Sequence, residues 1–577
     1  MKKFLLFICC LCSYSCLFSQ SPVLDWVKSI GGSNVTSSAS KLDLYGHIYV
    51  SGKFSGTVDF DPGVGQFSLT SGFSGIKTDI FIAKFDTVGN FIWVKNIGAN
   101  NGVNGNPLST GIAIDSIGNV YCTGFFNLTV DFDPGVGIAN LTAPYPIGEF
   151  PHNDAFVLKL DSAGNYLWAK QFTGYQNELS YGIALDRAGN VYTTGYFSDT
   201  VDFNPSSGVF NLISMYNIDG FVSKLDANGN FVWAKQIGGA AADFPKTITC
   251  DDNGNIYTAG FFNGTCDFDP GIGTYQLTSH GNSDAYLSKL DANGNFVWAK
   301  HIGSINPDAI HSVTTDFSNN VYIAGSFQGT VDMDPNTGVQ NHYSLNENVF
   351  ISKLNSSGNL IWSKNIEGSG NSYPIVIDID MLGNVYTIGK FSEKIDLDPS
   401  IDSLPVTSVG QSFDVYINKL DSMGNFIWAK TFGGPADDIS SSLFVNQSGS
   451  IYSTGSFNNT ADFDPNSSIA NISSIGGYNT FMHKMKLVNL TVDIAINDTN
   501  SSFLIYPNPN NGIFNVELNT IDNIVSLEIY NLLGAKVYSQ PINTKYTQHQ
   551  LQVETGVYLL NIKDEKGNKT VKKIIVQ

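Results

Sequence analysis

All seven tryptophans of this 577-residue chain, Trp26, Trp93, Trp168, Trp233, Trp298, Trp362 and Trp428, occupy one position of one repeated sequence. The clearest copy is Leu225-Asp226-Ala227-Asn228-Gly229-Asn230-Phe231-Val232-Trp233-Ala234-Lys235, which returns almost unchanged at residues 290–300. Successive tryptophans are 67, 75, 65, 65, 64 and 66 residues apart. A fixed period of this length has to be read as a repeat architecture, in which each unit buries its apolar faces against its neighbours.

Each period reads as two β-hairpins. In the third copy, strands are expected at 180–185 and 191–197, then, beyond a longer connection through Val201-Asp202-Phe203-Asn204-Pro205, at 220–225 and around Trp233. The hairpin turns are Asp-x-x-Gly-Asn, as at 115–119, 161–165 and 186–190. There the Asp side chain bonds the backbone two residues on, and Gly and Asn accept positive φ. No stretch shows sustained helical periodicity. Four strands per unit and seven units predict an all-β chain dominated by a seven-bladed β-propeller.

The array starts at Trp26-Val27-Lys28 without a preceding hairpin partner and stops at Phe481-Met482-His483-Lys484 without a following tryptophan strand. The expectation is a last blade completed by both termini, with the Trp26 strand beside the Phe481 strand.

Units of the form Gly189-Asn190-Val191-Tyr192-Thr193-Thr194-Gly195-Tyr196-Phe197 followed by Lys-Leu-Asp-x-x-Gly-Asn-x-x-Trp resemble the bacterial SBBP β-propeller repeats, over nearly all of residues 22–487. That resemblance implies a propeller and an extracellular setting, and no defined activity. The tail has a different character. Tyr506-Pro507-Asn508-Pro509, Gly512-Ile513-Phe514, Tyr530-Asn531-Leu532-Leu533-Gly534, Gly556-Val557-Tyr558 and Lys572-Lys573-Ile574-Ile575-Val576 are similar to the type A C-terminal sorting domain of the type IX secretion system of Bacteroidota. The resemblance implies recognition by that machinery, export through the outer membrane, removal of the tail, and a product released or held at the cell surface. The alternating strands of the tail predict a small β-sandwich.

The start of the chain, Met1-Lys2-Lys3 followed by an apolar stretch to about Phe18, has the layout of a secretory signal peptide and is shorter than the ~20 residues that span a bilayer. The expected division is therefore a signal peptide at 1–20, a seven-repeat propeller at 21–488, a polar linker at 489–503 and a sorting domain at 504–577. No later apolar run is long enough for a transmembrane segment.

The formal charge is −20, and residues 496–577 carry seven acidic and seven lysine residues, so the excess acid lies in the repeats. Such a surface repels phosphate backbones, and nucleic acid is not expected as a partner. Outside the signal region only Cys122, Cys250 and Cys266 remain, which make neither a disulfide framework nor a zinc motif.

Several repeated residues invite a functional reading. Asp-x-Asp-Pro recurs at Asp59/Asp61, Asp131/Asp133, Asp267/Asp269, Asp332/Asp334, Asp396/Asp398 and Asp462/Asp464, with Asn204 after Asp202 in the third copy. Oxygen-rich loops of this kind can hold calcium, but the ion wants 6 to 8 oxygens, and a turn capped by Asp and bent by Pro is the simpler expectation. Lys28, Lys95, Lys170, Lys235, Lys300, Lys364 and Lys430 each follow a tryptophan by two and share its strand face. The histidines His47, His152, His280, His301, His311, His342, His483 and His549 form no His-Glu-x-x-His pair, and no nucleophile elbow or phosphate loop is present.

The sequence therefore singles out no catalytic, cofactor-binding or metal-ligating residue and calls for no cofactor. A non-enzymatic, monomeric binding or adhesion module for glycan or protein, secreted or at the outer-membrane cell surface, is expected. A secreted polysaccharide hydrolase or lyase is the alternative. The longest period contains the insertion Ala143-Pro144-Tyr145-Pro146-Ile147-Gly148-Glu149-Phe150-Pro151-His152 and the Asn-rich loop at 100–106. Loops on a rigid frame are where recognition is expected.

Overall fold

The structure is a computed structural model that describes residues 20–72, 77–98, 105–145, 148, 150–214, 218–489, 503–508, 510, 512–518, 524–530, 536–542, 544–553, 556–564 and 569–576. Residues 1–19 of the expected signal peptide, most of the linker and the turns at 533–534 and 566–568 lie outside the described residues. The chain divides into a large unit, Gln20–Val488, and a second unit that holds Asn489–Gln577. The architecture is all-β: among the described residues the only helical segment is the single turn Val409–Gln411.

Each repeat folds into a set of four antiparallel strands. In the fifth set Ala309–Thr315, Val321–Asp332, Asn341–Leu354 and Leu360–Gly368 pair in chain order. The expected turn is present in detail. At 226–230 the Asp226 amide donates to the Asn230 carbonyl (2.9 Å), and Asp226 Oδ1 accepts from the amides of Asn228 and Asn230 (2.8 Å each). Gly229 adopts φ +78, where a side chain would be strained.

A row of three side chains crosses each sheet. Tyr192 pairs with Lys224 and Lys224 with Trp233 on successive strands. Lys224 Nζ sits 4.9 Å from the Tyr192 ring centre, and the Trp233 and Tyr192 rings are 6.1 Å apart. The row also joins neighbouring sets: Lys289 Nζ and Trp298 Nε1 both donate to the Ser356 carbonyl of the next set's turn (3.1 and 3.2 Å). The repeated tryptophan is thus a packing element between sets. Lys95 lies against its own tryptophan, with Nζ 5.9 Å from the Trp93 ring centre.

The Asp-x-Asp-Pro segments are also structural. Asp59 Oδ1 accepts from the amides of Asp61 (3.1 Å) and Phe67 (2.8 Å), and Asp61 Oδ1 from Gly63 (2.8 Å). The residue between the two aspartates, Phe60, is fully buried with ring centres 5.3 Å from Phe54 and 5.1 Å from Phe81. The carboxylates cap a turn that plants an apolar side chain in the core, Phe60 here and Met333 or Leu397 in two other copies.

The two ends of the repeat array meet. Strand Gln20–Leu42 lies in one sheet between Asn479–Asn489 of the last set and Ile48–Asp59 of the first. Trp26 packs edge-on to Tyr452 (6.5 Å, 70°), and Lys484 Nζ sits over Tyr452 at 5.2 Å, so the last set's row is completed by a residue from the start of the array. Asp25 bonds Lys484 (3.2 Å) and Lys486 (2.8 Å), and one core cluster joins Ile30 and Phe54 to Phe444 and Met482.

The tail unit contains a three-stranded sheet (Phe503–Tyr506, Ile513–Leu518, Tyr546–Gln550) and a four-stranded sheet (Lys536–Pro541, Ile524–Tyr530, Gly556–Asp564, Lys569–Val576). Alternate residues of both, including Phe514, Val516, Leu527, Ile529, Leu560 and Ile574, share one buried cluster.

Candidate functional site

The first strand of every set lines a single cavity of about 510 Å³, from 38–42 in the first set to 441–443 in the seventh. The second strand of each set then runs Gly-x-Phe. The glycine admits no side chain, because a Cβ on Gly195 would strike the Leu179 carbonyl of the neighbouring first strand. The next residue is free to vary: Lys53, Phe125, Tyr196, Phe261, Ser326, Lys390 and Ser456.

That variation makes one mouth of the cavity asymmetric. On one arc Tyr181, Tyr196, Phe244 and Phe261 form a chain of ring contacts at 5.8, 5.2 and 4.8 Å. Lys246 Nζ lies 5.2 Å from the Phe261 ring centre. On the next arc Lys390 Nζ is 5.4 Å from Tyr373 and 4.5 Å from Phe413. Between them His311 Nε2 is 3.0 Å from Ser326 Oγ, which donates to Glu347 Oε1 (2.9 Å). Burial, then the charges of Lys246 and Lys390, push the His311 imidazole down to about 3, so it is neutral at physiological pH. Half-exposed rings beside two ammonium groups and a carboxylate can stack on a flat ligand face and bond its polar edge.

The insertion in the second period enters the same end of its set, since Asp154 pairs with Phe126, one residue beyond Phe125. Tyr145 and Phe150 are exposed. Residues 146, 147, 149 and 99–104 lie outside the described residues.

A second repeated feature sits at this end, in the interior. The third strand opens with a buried Asp or Asn, and a buried acid from the following set faces it in several copies: Asp154 with Glu178, Asp219 with Asp243, Asp284 with Asp308, and Asp414 with Asp438. Burial raises all of the perturbed members, Asp243 and Asp438 to about 8, Asp308 and Asp414 to about 7. Asp154 and Glu178 are raised for the same reason, Glu178 also by the Asp154 charge.

In the fourth set the buried Asp284 is met by two imidazoles, His280 and His301, which the sequence shows only as scattered histidines. The change can be read in the sequence, where Lys235-Gln236-Ile237 becomes Lys300-His301-Ile302. The three cysteines among the described residues are free; Cys122 and Cys266 are buried and Cys250 is partly buried.

Comparison with known proteins agrees with this architecture. Residues 504–577 match the secretion-system C-terminal sorting domain family, and residues 167–196 and 232–260 match the β-propeller repeat family known as SBBP. The chain carries β-propeller repeats of that family and a type IX sorting tail, and the tail directs it to secretion and the cell surface or outer membrane. Among the described residues no helix is long and apolar enough to cross a membrane.

An uncharacterised WD repeat-containing protein of Acanthamoeba polyphaga mimivirus is 22% identical over 461 residues, 66% of this chain and 32% of the relative. An endo-acting ulvan lyase of Formosa agariphila is 35% identical over 79 residues, 13% of this chain and 15% of the lyase. The chain spans a third or less of the length of the curated relatives it matches. Among solved structures it is similar to PorZ, a surface component of the type IX secretion system of Porphyromonas gingivalis, at 10% identity and a TM-score of 0.22, with 96% of this chain and 100% of that chain covered.

Proposed function

We propose that the chain is an exported binding or adhesion protein whose propeller mouth recognises a glycan or an extended polypeptide, without catalysis. The seven strand sets are its seven blades, closed by both termini at 21–488. The signal at 1–20 and the linker at 489–503 serve delivery, and the tail at 504–577 is a β-sandwich that engages the secretion machinery. Closure is supported by the Gln20–Leu42 strand between the last and first sets and by one cavity lined from all seven.

The observation that carries the binding role is the aromatic and charged mouth. One repeat position, otherwise interchangeable, holds Tyr196 and Phe261 on one arc and Lys390 on the next. A site for one asymmetric ligand needs this inequality among copies, whereas seven equal residues would serve the frame. The reading is of a monomer, since one chain completes its own ring.

A glycan and matrix-protein array, run beside a polysaccharide turnover screen, tests it. Binding without turnover, weakened at least about tenfold by the pair Tyr196→Ala and Phe261→Ala, is the expected result. Turnover of a polysaccharide would replace it with the hydrolase or lyase alternative, toward which the ulvan lyase match, 79 residues long, offers little support.

A further inference from the structure

In the second and third sets the buried aspartate at the head of the third strand is satisfied by an amide. Gln171 Nε2 donates to Asp154 Oδ2, and Gln236 Nε2 to Asp219 Oδ2. In both sets the tryptophan strand supplies one side-chain amide to the aspartate. The fourth set departs from this. His301 takes the glutamine's place with Nε2 3.8 Å from Asp284 Oδ2, and His280, four residues before Asp284 on strand Gln276–Leu290, places Nδ1 2.9 Å from the same oxygen. The two imidazole rings lie 4.9 Å apart, inclined by 33°, and the three donor atoms lie within 4.8 Å of one another.

We propose that His280, Asp284 and His301 form a binding site for a divalent transition-metal ion of the zinc type. Two imidazole nitrogens and one carboxylate oxygen suit such an ion, whereas calcium and magnesium take oxygen ligands. Ligands about 2.1 Å from a tetrahedral ion stand about 3.4 Å from one another. The separations of 2.9 and 3.8 Å bracket that value, so small side-chain rotations bring the three onto one ion.

The set is also held in place. Asp284 is fully buried and in register opposite Phe262, and the Phe262 ring packs edge-on to His301 at 6.1 Å. Asp308 adds negative charge nearby but is not counted as a ligand, because Oδ2 accepts from the Ser304 amide (2.7 Å) and Oδ1 from that of Gln328 (3.3 Å). The His280 side chain is 58% exposed, so the fourth coordination position opens to solvent. Water, or a donor atom from a bound molecule, completes the tetrahedron.

The test is zinc titration of the purified protein against a chromogenic competitor, with two variants. In His301→Gln the new residue is the one that two other sets already use at this position, so the fold is retained and the metal-free melting curve stays unchanged. His280→Ala removes the exposed ligand. One zinc per wild-type chain, with affinity lowered at least about tenfold in each variant, is the expected result. Cobalt loaded in place of zinc should give tetrahedral visible bands in the wild type alone. Absence of stoichiometric zinc in the wild type, or a loss smaller than tenfold in either variant, overturns the proposal.

Discussion

At the scale of single residues, the Gly-x-Phe segment is constant at its glycine and phenylalanine and varies at the residue between them. Gly195 is fixed by the carbonyl of Leu179 and cannot grow a side chain without moving a strand. Gly195→Ala should cost about 2 kcal/mol or more and lower the first thermal unfolding transition, measured by circular dichroism. Tyr196, its neighbour, is half-buried, and its ring packs against Tyr181 and Phe244 at the cavity mouth. Tyr196→Ala should leave that transition nearly in place, so its effect on ligand binding reads recognition and not folding.

At the scale of elements, the strand sets bury acids that neighbouring sets hold close together. A carboxyl whose folded pKa is raised stays protonated in the folded state over a range where the unfolded chain has already ionised. Its stabilisation is complete below the unfolded value near 4 and is lost as the pH rises through the folded value. For Asp308 and Asp414 that loss runs up to about 7, and for Asp243 and Asp438 up to about 8. The melting temperature at constant ionic strength should therefore be higher at pH 5 than at pH 8.5. Asp243→Asn should flatten that dependence, because an amide cannot ionise. A melting temperature that rises over this range would contradict the placement of these acids.

At the scale of the whole molecule, the ends of the array support each other. Deleting residues 21–32 removes Trp26 from the last row and Asp25 from Lys484 and Lys486. The deletion should lower the melting temperature of the whole array sharply, because an open array exposes the apolar faces of its first and last sets. A shift of a degree or less would rule out closure. Export has its own signature: mass spectrometry of the secreted protein should find the C-terminal tail absent, and an intact Gln577 would show that the sorting tail is not removed.

The repeat, its four strands, its turns and the export tail were legible in the sequence because each rests on local chemistry. Asp226 caps its own turn, Gly229 supplies the φ the turn needs, and the seven tryptophans count the units. The missing hairpin halves at Trp26 and Phe481 also pointed to the joined ends. What no local pattern contains is which residues of different strands arrive at the same place. The cavity mouth joins Tyr181, Phe261, Glu347 and Lys390 from four sets, and Asp284 collects one histidine from its own strand and another seventeen residues further on. Those meetings depend on strand register and on the packing of one sheet against the next. A period in the sequence fixes how often a position recurs, and only the packed sheets decide what each copy faces.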